Sequence, residues 1–322
     1  MAAALPRSLK TRITTATALF PLSMAAAAGL WLSDTDYSLE SCLALGMLLA
    51  ATIATRWFSN AIQLIRVRSW AVASFFVLLV ALCSHTYEWS PQTMAGGCLL
   101  LIYTVGLLLS HQSKAPQVPV LAASAALSLL TMIMPQLAWL LPIFLFSLLT
   151  PLRSLTPRSL LAMLFGLLLP YMAFVGWHAC QGTALTVLQE TGDSLLCFSL
   201  PRLADLVPVD GLSATAASLS APNVYRLGMT LMGLLGVVHF IHTRYNDKVS
   251  TRTFYIAIIM HWPAVAALQF FTTGHDALVA ALTALFNSIL LSHYFVFSKG
   301  WIANALFWLF VLLCCYLTYP VC

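Results

Sequence analysis

DALVAALTALFNSILLSHYFVF, running from Asp276 to Phe297, decides the fold class. Its only charge is its first residue, and no Pro or Gly interrupts it. Coiled as an α-helix at about 1.5 Å per residue it is about 33 Å long, a match to a hydrocarbon core of about 30 Å. Asp276 stands at one end, Lys299 lies just past the other, and Asn287 is the one amide between them.

The same texture extends outward over the whole chain. Of 322 residues, 61% are hydrophobic and 8% charged, whereas a soluble domain carries about 45–50% apolar and about 25% charged residues. That balance excludes a soluble enzyme, a secreted disulfide scaffold and a nucleic-acid binder. It also excludes disorder, which needs few apolar residues. Runs comparable to 276–297 cover 13–32, 40–55, 70–86, 93–110, 118–134, 136–150, 159–177, 224–243, 253–271 and 301–319. The fifth and sixth are parted only by Pro135. The pattern predicts an all-α polytopic transmembrane helix bundle of about eleven spans, with the lipid bilayer as its principal partner.

Charge orients the bundle, because short loops rich in Lys and Arg stay in the cytoplasm. With the N-terminus inside, the inner segments hold Arg7, Lys10, Arg12, Arg56, Arg66, Arg68, Lys114, Arg153, Arg158, Arg244, Lys248, Arg252 and Lys299. Only Arg202 and Arg226 fall outside. The acids reverse this: Asp34, Asp36, Glu40, Glu88, Glu190, Asp193, Asp205, Asp210 and Asp276 lie outside, and Asp247 alone lies inside. The sequence therefore predicts a cytoplasmic N-terminus and a periplasmic C-terminus. The net charge of +5 follows from inner loops meeting an anionic leaflet. Arg7, Lys10 and Arg12 before an apolar run, with small residues at Ala25–Ala28, imitate a signal peptide. We expect the first span to be retained, since ten more hold the protein in the membrane.

Two connections are long enough to carry structure. Inner residues 56–69 place Phe58, Ile62 and Ile65 at helical spacing and predict an interfacial helix lying at the headgroups. The outer loop 178–223 carries acids, Pro201 and Pro208, and a short amphipathic stretch at Leu200–Val207. It divides the chain into a seven-span bundle over 1–177 and a four-span bundle over 224–322. An oxidising outer face permits a Cys180–Cys197 bridge across this loop.

Polar side chains deep in a bilayer are costly and mark functional sites. His261 lies about 12 Å from the inner end of its span and Asn287 about 16 Å from the outer end of the next, so the two share a depth. They are read as an interhelical hydrogen bond or as part of a substrate or proton path. His111, His239, His242 and His293 end four spans near the inner surface. Neutral imidazoles suit iron, zinc or copper, and a histidine metal centre would fit a membrane oxygenase. Outside, Asp34 and Asp36 follow the first span, with Glu40 beyond them. A carboxylate there can act as base for a transferase using a lipid-linked sugar, with His178 and Asp276 on the same face as further binding residues. The alternative reading of these acids is helix capping at the positive end of the second helix. No phosphate-loop, nucleophile-elbow or zinc-helix motif occurs, and the sequence specifies no cofactor.

Several features together resemble an uncharacterised family of bacterial multi-pass inner-membrane proteins. They are the Asn60–Arg68 segment, the apolar Leu127–Leu149 stretch broken by Pro135 and Pro142, the Arg153/Arg158 turn, and Gly166-Leu-Leu-Leu-Pro170-Tyr171. Some members carry an automatically assigned beta-carotene 15,15'-monooxygenase label. The resemblance covers about half the chain and implies location and topology, with no functional residue carried over. The resulting expectation is an inner-membrane structural or assembly component of the cell envelope, with a membrane-protein partner. The alternatives are a polyprenyl-phosphate-sugar transferase at the outer face and a metal-dependent oxygenase of an apolar substrate.

Overall fold

The computed structural model describes residues 13–14, 16–34, 38–65, 69–82, 86–87, 89–111, 113–196, 221–272 and 274–318. Among these residues every regular element is helical. The first six α-helices are α1 (Leu19–Asp34), α2 (Leu39–Ala61), α3 (Ala71–Ala81), α4 (Pro91–Leu109), α5 (Gln117–Ile133) and α6 (Leu140–Leu149). They are followed by α7 (Pro157–Cys180), α8 (Ala184–Leu196), α9 (Ala221–Thr243), α10 (Val249–Phe271), α11 (Asp276–Phe297) and α12 (Trp301–Thr318). Short 3-10 turns occupy Pro135–Trp139 and Arg244–Asn246.

Six described helices are long and apolar enough to cross a membrane: Leu39–Ala61, Pro91–Leu109, Pro157–Cys180, Pro222–Asn246, Val249–Phe271 and Asp276–Phe297. Shorter apolar helices at Leu19–Leu32, Ala71–Ala81, Gln117–Ile133, Pro135–Leu149 and Trp301–Cys314 coincide with the remaining hydropathic runs.

Local chemistry sets the boundaries. Ser38 caps α2 by accepting from the Ser41 N–H at 3.1 Å, and Glu40 sits in the first turn, where the helix dipole favours an acid. Thr156 and Ser159 form a reciprocal capping box at the start of α7, with Pro157 where its missing N–H costs nothing. Pro135 separates the fifth and sixth runs: Met134 is extended and a 3-10 turn precedes α6.

One expectation is corrected. The separate interfacial helix over 56–69 does not form, because Arg56–Ala61 continues α2. Nothing between Thr55 and Arg56 breaks the helix, and the chain turns only at Gln63, whose φ of +50° is left-handed. Residues 66–68 lie outside the described set. The 178–223 connection, long enough to carry structure, contains α8, which packs on the Pro135–Trp139 turn and on α7. Its apolar residues are diluted by Glu190, Asp193 and threonines, which hides it from a search for apolar runs. The Leu200–Val207 stretch lies outside the described residues.

The chain groups into two compact units that interleave along the sequence. One comprises 1–94, 208–252 and 283–322, the other 95–207 and 253–282. In the first, α1 and α2 pack on α3, and α9 packs on α12. A Cβ added at Gly236 would meet the Leu290 Cβ at 2.8 Å, so α9 and α11 approach where no side chain intervenes. Phe75, Phe295, Phe307 and Phe310 interlock, with ring centroids 5.3–5.8 Å apart. Arg56 lies over the rings of Trp70 at 3.5 Å and Phe20 at 4.8 Å, a cation–π seat for a charge at a helix end.

In the second unit α5 and α7 form the tightest pair. Gly166 leaves room for Ser124 and the Leu121 carbonyl. Pro170 removes one backbone donor from α7, and nearby the Ser128 hydroxyl donates to the Leu167 carbonyl at 2.9 Å. One turn further, Thr131 and Tyr171 hydroxyls bond at 2.8 Å. The Gly166–Tyr171 motif thus acts here as a packing device.

Candidate functional site

The site with the most chemistry lies in the first unit, where α9 and α11 end and α12 begins. The α9 helix closes with Thr243 donating to the His239 carbonyl at 2.8 Å. The Arg244–Asn246 turn then delivers Asp247, held extended with its N–H on the Arg244 carbonyl. On α11, His293 and Tyr294 occupy the last turn, and Ser298 N–H returns to the Tyr294 carbonyl at 2.8 Å. Gly300, at φ +104°, supplies the left-handed turn into α12.

These elements enclose a cavity of about 640 Å³, lined chiefly by His239, Thr243, Asn246, Asp247, His293, Tyr294, Ser298 and Lys299. At its wall, His293 Nε2 donates to Asp247 Oδ2 at 3.1 Å, with 1% and 6% of the two side chains exposed. The His239 ring lies 5.7 Å from His293 and 5.0 Å from Tyr294. Phe240 and Phe297 flank His293 at 5.4 and 4.9 Å. A carboxylate on one imidazole nitrogen fixes the tautomer and stabilises a proton gained at the other. The pair therefore sets a fixed polar group in the cavity wall. Thr243 and Ser298 add hydroxyl oxygens, and Asn246 and exposed Lys299 add donors, around the opening.

The remaining sequence-selected residues fall elsewhere. His261 belongs to the second unit. Its Nδ1–H donates to the Ala257 carbonyl at 2.7 Å, so Nε2 accepts from the Tyr103 hydroxyl at 2.6 Å. Both side chains are fully buried. Asn287 belongs to the first unit and donates through Nδ2 to the Met229 carbonyl at 2.9 Å. His261 and Tyr103 share one unit, as do Asn287 and Met229.

Of the other span-end histidines, His242 is exposed on α9. His111 faces the Leu152 carbonyl at 3.1 Å and packs on Phe254 at 5.6 Å. His239 and His293 are thus the two of the four that share a cavity. Among the described residues no group of three or more His, Cys, Asp and Glu side chains is placed to hold a metal ion.

In the second unit, His178 Nδ1 meets the Thr183 hydroxyl at 3.1 Å and Asp276 opens α11. Asp34 is the last residue of α1. Asp36 and Cys197 lie outside the described residues, and Cys180 is an exposed free thiol. Sequence reasoning missed two partners, Tyr103 and Asp247. Tyr103 is one of three hydroxyls in an apolar helix, with Thr93 and Thr104, and carries no spacing signal. Asp247 does carry one, as the single acid assigned to the cation-rich side. Comparison of the chain with protein-family models, with curated proteins and with solved structures returned no match.

Proposed function

We propose that this protein is a bacterial inner-membrane protein of eleven crossings, N-terminus cytoplasmic and C-terminus periplasmic, that binds the polar end of a membrane-soluble molecule in the His239–Asp247–His293 cavity. The observation that carries the reading is the buried 3.1 Å His293–Asp247 pair in the wall of a cavity of about 640 Å³. Ligand sites commonly measure about 300–1,000 Å³ and carry a few convergent polar groups. A second support is the charge sorting: under the proposed topology Asp247 stands against the rule for its side of the membrane. An ionisable group kept at a membrane protein's inner end beside a histidine is better explained by a ligand than by orientation.

The test uses full-length protein purified in nanodiscs of bacterial polar lipid, with bound small molecules extracted and identified by mass spectrometry. A defined amphiphilic species retained by the native protein and depleted in both Asp247→Asn and His239→Ala supports the reading. Identical extracts from native and variant proteins of equal folded yield overturn it. Thiol labelling of single cysteines introduced at Lys248 and Asp276 reads the orientation. Labelling of Lys248→Cys from the cytoplasm and of Asp276→Cys from the periplasm is expected, and the reverse refutes it.

A further inference from the structure

A second cavity, of about 370 Å³, lies in the same unit and is lined by apolar side chains and Thr14, with Phe75, Leu78, Phe307, Phe310 and Cys314 in its wall. One face of α12 serves both spaces. Ala303 lines the polar cavity, while Phe307, Phe310 and Cys314 line the apolar one. These positions follow at intervals of four, three and four, so they stack along a single helix stripe. An aromatic sequence runs the same way: Tyr294 of the polar cavity lies 5.1 Å from Phe295, which touches Phe307 at 5.3 Å and Phe310 at 5.7 Å.

From Ala303 to Cys314 the stripe rises about 16 Å, half of a hydrocarbon core of about 30 Å, which is the depth of one leaflet. A polar pocket at the start of α12 and an apolar one about a leaflet's depth along the same stripe together match the two ends of an amphiphile. Lys299 at the polar end supplies the cation that suits a phosphate and offsets the Asp247 carboxylate, which accepts from His293.

We propose that the two cavities form one bipartite site for a phospholipid of the cytoplasmic leaflet, with its phosphate beside Lys299 and His239 and one acyl chain along the Ala303–Phe307–Phe310–Cys314 stripe. This rests on the reading of the His239–Asp247–His293 cavity as the polar-end site and adds the chemical class of what enters it.

The test is native mass spectrometry of the full chain released from nanodiscs of phosphatidylethanolamine and phosphatidylglycerol, counting phospholipid retained per protein. Leu78→Trp and Val311→Trp, which fill the apolar cavity from two helices, are each expected to lower retention at least about tenfold. That is about 1.4 kcal/mol, or about two methylenes displaced. Lys299→Ala is expected to lower it about fivefold, the worth of one cation near a lipid surface. Leu309→Trp, on an exposed part of α12, is expected to leave it unchanged.

Retention unaffected by both cavity-filling variants, while Lys299→Ala and His239→Ala still lose lipid, overturns the chain site and leaves the polar site standing. Retention unaffected by any of the variants overturns both. Protein from bacterial membranes that carries a polyprenyl phosphate in place of phospholipid overturns the assignment of the occupant.

Discussion

Two buried histidines, one in each unit, meet the same physical demand in opposite ways. His261 has a neutral phenol on one ring nitrogen and a backbone carbonyl on the other, in surroundings that exclude solvent completely. His293 has a carboxylate on one nitrogen and forms part of a cavity wall. By sequence alone His261 is the better functional candidate, because it lies deeper in a span. The contacts reverse that ranking. A neutral group whose donors and acceptors are satisfied by its own bundle acts as a fastener. A charged partner beside an open space retains capacity for a ligand. Depth signals cost, and the partner decides what the cost serves.

The comparison is broken or sharpened by variants, taken here from the largest effect downward. Gly166→Leu forces a side chain into Ser124 and the Leu121 carbonyl. It is expected to cost about 3 kcal/mol and to cut the yield of folded protein, read as loss of the monodisperse species in detergent. This sets the scale for damage to the second unit without touching either histidine. Tyr103→Phe removes the donor to His261 and leaves Nε2 buried without it. Thermal unfolding in detergent is expected to show a loss of about 1–2 kcal/mol with lipid retention unchanged. Should Tyr103→Phe abolish retention instead, the fastener reading of His261 fails.

Asp247→Asn gives the opposite signature: lipid retention falls several-fold while stability changes by less than about 1 kcal/mol, because an amide still accepts from His293. Asn287→Leu, at the bond to Met229, is expected to cost about 0.6–1.7 kcal/mol, the range for interhelical hydrogen bonds in membranes, with no effect on retention. The smallest effect is expected for His242→Ala. The side chain is exposed, and both stability and retention should stay within about 0.5 kcal/mol of the native protein.

Helix positions were largely readable in advance. Each hydropathic run coincides with a helix, because in a bilayer the backbone must satisfy its own hydrogen bonds and an apolar run leaves few alternatives. Two less legible segments both lie at the edge of that regime. Arg56–Ala61 continues α2 because no breaker precedes Gln63, and α8 was hidden by its polar residues. At such edges water competes for the backbone, and composition loses its predictive force.

The site was far less readable. His239 and His293 stood out as histidines at span ends, but so did His111 and His242, and spacing ranks them equally. Asp247 drew attention only as the exception to charge sorting. The apolar cavity left no trace, since Phe75, Phe307 and Phe310 read as ordinary lipid-facing or core residues.

By itself, the sequence determined the helical class, the apolar surroundings and the distribution of charge along the chain. All three follow from local composition and from the short-range geometry of a helix. Only the tertiary structure decided that His261 belongs with Tyr103, that Asp247 belongs with His293, and that one face of α12 serves two cavities of opposite polarity. Those outcomes depend on which helix faces cross, on gaps such as Gly236 that let them approach, and on rings meeting across long chain separations. No pattern along a single helix records its neighbour.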